Sequence, residues 1–489
     1  MKDLKEKTIR GGSVRLCSQV ATLVLRVGSL ALLARLLDPP DFGLVGMVTA
    51  FTGVLNLFRD FGLSAAAIQR AVVTEQETST LFWINVLVGL ILTVVALVFA
   101  PVVGAFYHEP RLFWVTIAVA PAFLFNAAGV QHSALLQRQM RFTALAWIDL
   151  FSLIGSTVAA VVMAKGGCGY WALIAMTVSL ALFATAGLWL VTGWVPGRPR
   201  RLAGLSSMMR FGGTMTLNGL VLYVASNLEK VLLGRFWGAE AMGLYGRAYQ
   251  LIRIPTDNLN SAVGQVAFSA LSRLQDDPVR LRSYFLKGYS LVIALTIPIT
   301  VVCGLFADDI VPLLLGPKWT GAVVLLRLLS PTILVFAIAN PLAWLLDALG
   351  LVGRSLRIAL AFTPFMVAGI LAGLPFGLKG VAFAYTSAWV LWVVPVIAWA
   401  VHGTVISFRD IVMAAKQPLL SGFVAAALAL AVRLSCGQWL TMLPRLVLEV
   451  TVLLGVYVAM LLYVMDQKSF YVDLFRKMSG RSSVNAASA

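Results

Sequence analysis

The chain has 489 residues, 60% of them hydrophobic and only 12% charged, with a formal net charge of +17 at neutral pH. This composition excludes a water-soluble globule. It also excludes nucleic-acid binding, because no polar segment is long enough to fold into a basic surface. Apolar stretches of about 20 residues recur along nearly the whole chain, and helices of that length cross a bilayer with every backbone polar group satisfied. The sequence reads as an all-α polytopic membrane protein.

The basic start, MKDLKEKTIR, leads into an apolar stretch interrupted by Arg15 and Arg26, with no small-residue cleavage site at its end. It is expected to be a retained first span. Six spans are predicted in the first half, near 11–37, 42–66, 81–105, 112–135, 143–164 and 169–193. A polar linker with Arg198, Arg200 and Arg201 follows. Six more are predicted near 207–235, 240–270, 286–306, 319–348, 355–375 and 379–401, then two near 412–433 and 440–465. The expected domains are thus a six-helix bundle over 1–193, a basic cytoplasmic linker over 194–206, a second six-helix bundle over 207–403, and two additional helices with a cytoplasmic tail over 404–489.

Charge tests this count of fourteen. With both termini inside, the connections assigned to the cytoplasm carry 22 Lys and Arg, among them Arg138, Arg141, Arg198, Arg200, Arg201 and Arg282. Those assigned outside carry 8: Arg35, Arg111, Lys165, Arg235, Lys318, Lys379, Arg433 and Arg445. Inserting or deleting one span would destroy this positive-inside alternation.

The halves are related. Leu33-Ala34-Arg35-Leu36 and Gly43-Leu44-Val45-Gly46 recur 200 positions later as Leu233-Gly234-Arg235-Phe236 and Gly243-Leu244-Tyr245-Gly246. Ala120-Pro121 and Ser330-Pro331 match at a spacing of 210. Six spans per half make the repeats parallel, related by an axis along the membrane normal.

Eight basic residues lie outside the connections: Arg15, Arg26, Arg59, Arg210, Lys230, Arg247, Arg253 and Arg327. All but Arg327 fall on spans one, two, seven and eight. An ionisable side chain at mid-bilayer costs about 2.5–3.5 kcal/mol on insertion scales, so such a concentration points to an aqueous, cationic path. Arg15, Arg59 and Arg210 are near enough to span ends to snorkel, and Arg253 with Asp257 also fits a plain i,i+4 ion pair. Arg26 and Arg253 are the deepest. The acidic companions Asp60, Glu229 and Asp257 are candidates for proton or sodium coupling. No cofactor is expected: there is no phosphate-binding loop, and His108, His132 and His402 lack metal-ligand spacing. Nor do the short connections offer a catalytic cluster, so an enzyme is disfavoured.

Gly11 to Arg15, Ala34-Arg35-Leu36-Leu37 with Asp41-Phe42-Gly43-Leu44, and Asp60-Phe61-Gly62-Leu63 with Gln69 resemble the polysaccharide transporter family. So do Gly169-Tyr170-Trp171-Ala172-Leu173, Asn227-Leu228-Glu229-Lys230 and Leu244-Tyr245-x-Arg247-Ala248-Tyr249. The family belongs to the superfamily of multidrug and toxin extruders. The resemblance implies two six-helix bundles in that arrangement around a central cavity, plus two C-terminal helices. It implies a flippase for polyprenyl-pyrophosphate-linked oligosaccharide units of exopolysaccharide, capsule or O-antigen, working by alternating access in a bacterial inner membrane. Membrane lipids, a polysaccharide polymerase and a chain-length regulator are the implied partners. Glu229 stands where relatives often have Asp. A peptidoglycan-precursor flippase would share the cationic cavity. A drug extruder of the same fold calls for an acidic or aromatic one, and a membrane polymerase for a long outer loop.

Overall fold

A computed structural model describes residues 21–58, 74–199, 205–436, 440–465 and 467, and no β-strand occurs among them. Helix α1 covers 21–36, and α2 covers Pro39–Leu57. The first half continues with α3 (Glu75–Tyr107), α4 (Arg111–Val119), α5 (Pro121–Arg138), α6 (Phe142–Lys165) and α7 (Trp171–Thr192). Next come α8 (Leu205–Arg273), α9 (Pro278–Leu305), α10 (Ala307–Leu314), α11 (Gly321–Leu329) and α12 (Pro331–Ala348). The last four are α13 (Val352–Gly373), α14 (Gly377–Val401), α15 (Phe408–Cys436) and α16 (Met442–Ala459).

Ten helical stretches among the described residues are long and apolar enough to cross a membrane, and one of them, Val352–Val401, runs through both α13 and α14. The outward side chains suit lipid. Leu87, Ile91, Val94, Val98 and Val102 of α3 are all exposed, a stripe that a protein in water would have to cover. The protein is a multi-pass, all-α membrane protein. The expected spans 207–235 and 240–270 are the two limbs of α8, which break at Gly238, where φ is 78° and ψ −171°. Only glycine adopts that backbone cheaply.

The internal repeat is visible in the helix lengths. The nine residues of α4 and eighteen of α5 meet at Pro121, and the nine of α11 and eighteen of α12 meet at Pro331. In each case proline opens the second limb, where its missing N–H costs nothing.

By compactness the chain divides into Met1–Gly246 with Leu314–Trp319, and Arg247–Leu313 with Thr320–Ala489. This division falls within α8, later than the polar linker at 194–206. In the first unit, α2 and the second limb of α8 approach backbone to backbone. A Cβ on Gly43 would lie 1.7 Å from the Ala239 carbonyl oxygen, and one on Gly243 would lie 1.9 Å from that of Pro39. The contact is reciprocal: Pro39 and Gly43 on one helix face Ala239 and Gly243 on the other, each 200 positions apart. The twinned glycines are therefore a helix crossing that admits no side chain. Leu44, Met47 and Val48 of α2 then form a core with Val103 and Tyr107 of α3 and Leu112 and Val115 of α4.

Two further segments are pinned to this unit. Leu314–Trp319 joins it through Trp319, which is fully buried, donates from Nε1 to the Ala34 carbonyl at 2.8 Å and meets Phe42 edge-on. Lys318 pairs with Asp38 at 2.6 Å. The first residues of the linker are held by Trp83, whose Nε1 donates to the Gly197 carbonyl at 2.9 Å, and by Ser79, whose Oγ accepts from the Gly197 N–H at 3.0 Å. His132 serves the same junction: it is buried, stacks on Trp189 with ring centroids 4.5 Å apart, and sets Nε2 3.3 Å from the Trp194 carbonyl.

The second unit packs α9, α12, α14, α15 and α16 around Phe285, Tyr289, Ile293, Leu345 and Tyr457. An ionic corner joins α15 and α16 to it. Asp308 takes Arg327 at 2.6 Å and Arg433 at 3.0 Å, while buried Asp309 takes Arg445 and, at 3.5 Å, Arg433. Arg327, a non-connection cation in the sequence, thus belongs to a structural network.

Candidate functional site

Arg253 sits on the second limb of α8, two residues before Pro255. Its Nη2 lies 3.1 Å from Asp257 Oδ1, so the i,i+4 pair forms. Yet the two side chains stay 42% and 52% exposed. The guanidinium also lies over the Phe336 ring of α12, 5.8 Å from its centroid. Held by one carboxylate and one aromatic face, it retains N–H donors for a ligand.

Arg247, one and a half turns earlier, is less open and turns towards Gln250, whose Oε1 accepts from its Nη1. Between these two, Tyr249 is buried, its hydroxyl 3.3 Å from that of Tyr385 on α14. The Arg247-Ala248-Tyr249 motif therefore combines one packing residue with one polar one.

In the first unit Arg26 is exposed on α1. Asp149 of α6, also exposed, is within electrostatic reach of it. Lys230 donates from Nζ to Asn227 Oδ1 at 2.8 Å, and Asn227 donates in turn to the Tyr223 carbonyl at 2.9 Å. Glu229 is fully buried and electrostatically linked to Tyr223, whose hydroxyl reaches the Ala50 carbonyl at 3.3 Å. Of the predicted ion-coupling residues, then, Glu229 is enclosed and Asp257 is open.

Arg15, Arg59 and Asp60 lie outside the described residues, and Arg210 lies on α8 with its side chain outside them. The structure brings Arg253 to Asp257. It also adds two partners that sequence reasoning did not assign to the site, Asp149 and Phe336. A carboxylate in an otherwise apolar span was the available signal for Asp149; nothing in the sequence set Phe336 apart from other core aromatics.

A family model described as polysaccharide biosynthesis protein matches residues 32–324. The chain is similar to the lipopolysaccharide biosynthesis protein WzxC of Escherichia coli (strain K12), with 28% identity over 377 residues, 76% of each chain. It is similar also to the teichuronic acid biosynthesis protein TuaB of Bacillus subtilis (strain 168), with 28% identity over 349 residues, 70% of this chain and 71% of that one. Among solved structures, its fold is similar to that of the lipid II flippase MurJ in an inward closed conformation. The TM-score is 0.72 at 14% identity, over 96% of this chain and 100% of that one.

Proposed function

This chain belongs to the polysaccharide biosynthesis protein family, and from that premise we propose that it is a flippase for polyprenyl-pyrophosphate-linked oligosaccharides. It moves them across a bacterial cytoplasmic membrane by alternating access. The observation that carries this reading is the half-exposed Arg253 guanidinium within an apolar bundle, above Phe336 and beside Asp257. A planar fork of N–H donors that stays charged suits pyrophosphate oxygens better than any other side chain. Facing lipid, the same group would cost about 2.5–3.5 kcal/mol, so it faces a wet path.

Arg26, Arg15, Arg59, Arg210, Lys230 and Arg247 extend that cationic path along the equivalent first two spans of each half. The prenyl tail stays in lipid while the head group passes. An inside-negative potential favours outward movement of the anionic head by about 2.3 kcal/mol per charge per 100 mV. Exposed Asp257, with Asp60 and Glu229, couples a proton or sodium ion to the return step. Fourteen spans in two six-helix bundles plus two helices put both termini in the cytoplasm. The chain itself makes no glycosidic bond; a polymerase and a chain-length regulator act on what it delivers.

Vesicles reconstituted with the protein and a polyprenyl pyrophosphate oligosaccharide test this. Transfer of the head group between leaflets is expected in wild type and is expected to be lost in Arg253→Ala and Arg26→Ala, with melting temperatures unchanged. Normal transfer in both variants would sink the cationic path. Thermal stabilisation by a lipophilic cation, with none from the pyrophosphate lipid, would make the protein an extruder.

A further inference from the structure

Arg235, the second-half twin of Arg35, lies at the end of the first limb of α8, three residues before the break at Gly238. We infer that it binds the phosphate of a membrane glycerophospholipid. This site does not depend on the flippase reading.

The fold brings α3 and α8 together here. Gly234 admits the Tyr107 ring of α3, to which a Cβ would come within 2.8 Å, and Leu233 beside it is fully buried. The next residue is thereby set against the end of α3. That helix is closed by His108 in the left-handed conformation, with φ 54°, and the ring Nδ1 lies 2.6 Å from Arg235 Nη1. A guanidinium only donates, so Nδ1 accepts and the imidazole proton sits on Nε2. The guanidinium carbon also lies 5.8 Å from the ring centroids of both Phe106 and Phe236.

None of these contacts is a carboxylate. His108 satisfies one N–H and leaves the positive charge unmatched, and no ion pair among the described residues includes Arg235. Glu109 follows His108 directly, yet it turns to Arg111, whose Nε and Nη2 donate to its two oxygens at 2.8 and 2.9 Å. Arg235 therefore takes its counter-charge from outside the chain.

The surroundings say which anion is at hand. Phe106, Trp114, Phe236 and Trp237 are all exposed, at the end of α3, the start of α4 and the end of the first limb of α8. Exposed rings gathered in this way mark the level of lipid head groups. A partly buried cation among them meets lipid phosphate before any dissolved anion. With Nη1 on His108, the edge formed by Nε and Nη2 takes two phosphate oxygens side by side. Phe106 and Phe236 then lie against the glycerol and the first acyl carbons. A lipid seated there fastens the first limb of α8 immediately before Gly238.

Native mass spectrometry of the full-length protein in detergent counts retained lipids. Wild type is expected to hold one more phosphatidylglycerol than Arg235→Ala or Arg235→Gln, with all three melting alike; the glutamine keeps a donor for His108 without the charge. Arg111→Ala, whose charge Glu109 already matches, should hold the full number. Dioleoylglycerol, which has acyl chains and no phosphate, should not fill the place, and inorganic phosphate should not displace the lipid. Equal counts in wild type and both Arg235 variants would overturn the site, as would equal retention of dioleoylglycerol. The same loss from Arg111→Ala would assign the lipid to the basic face at large and overturn the site too. Displacement by inorganic phosphate would make Arg235 a seat for a free anion, against the lipid assignment.

Discussion

At the corner where α10 meets α15 and α16, three carboxylates (Asp308, Asp309 and Glu449) are matched by three guanidiniums (Arg327, Arg433 and Arg445). On the second limb of α8, Arg253 pairs with Asp257, and both side chains are about half exposed. Both places hold arginine in an apolar helical protein, yet their enclosure differs. At the corner Asp309 is 1% exposed and its charge is met from two helices, Arg445 on one side and Arg433 on the other. On α8 the Arg253–Asp257 pair stays open, its side chains 42% and 52% exposed. A pair closed in by several helices is a fastening, and one left open keeps donors for a ligand.

The largest effect that would sharpen this contrast is expected at the corner. Asp309→Ala removes the buried carboxylate that Arg445 and Arg433 share and should cost about 3–5 kcal/mol of stability, measured as a large fall in melting temperature of the detergent-solubilised protein. Next comes Arg253→Ala. It should slow head-group transfer by about 30-fold or more, equivalent to at least 2 kcal/mol for a lost charge-assisted contact, while the melt barely moves. Arg253→Lys should recover only part of the rate, because the ammonium keeps the charge but loses the fork. If Arg253→Ala instead melts the protein as Asp309→Ala does, the contrast breaks.

Smaller effects test the rim. Arg327 and Asp308 are about half exposed, so Arg327→Ala should cost under about 1 kcal/mol and leave transfer intact. The least change is expected at Glu109, outside the spans. Hydrogen bonds from Arg111 hold its carboxyl below the ordinary glutamate range. A lowered folded-state value means that the pair stabilises above the unfolded value of about 4.3 and loses that contribution as pH falls through the folded one. Glu109→Gln should therefore lower the melting temperature slightly at pH 7, and the difference should shrink as pH falls through the folded value.

Much of the architecture was legible because hydrophobic length and helix punctuation are local. Pro121 and Pro331 were visible as matched landmarks, and each opens a helical limb; the separation of spans seven and eight falls at Gly238. Gly43 and Gly243 were visible as twins, but that they press against the backbones of Ala239 and Pro39 was not. The site was legible in part. Arg253 and Asp257 are four apart on one helix and could be paired from spacing alone. Arg26 with Asp149, or Asp308 with Arg433, could not, since more than a hundred residues separate the members of each pair. The corner was missed altogether, because Arg433 and Arg445 counted only as charges in outer connections.

Composition and periodicity were enough to settle that this chain crosses a membrane many times as helices, that its halves repeat, and that several arginines fall within apolar helical stretches. Each follows from the free energy of placing a side chain or a backbone group in hydrocarbon, which depends on nothing beyond one helix. Only the packed structure decided which arginine–carboxylate pairs are enclosed and which stay open, and that Leu314–Trp319 belongs with the first unit. Those outcomes depend on distances between helices, and a side chain's charge or amide has no meaning for function until its neighbours across that distance are in place.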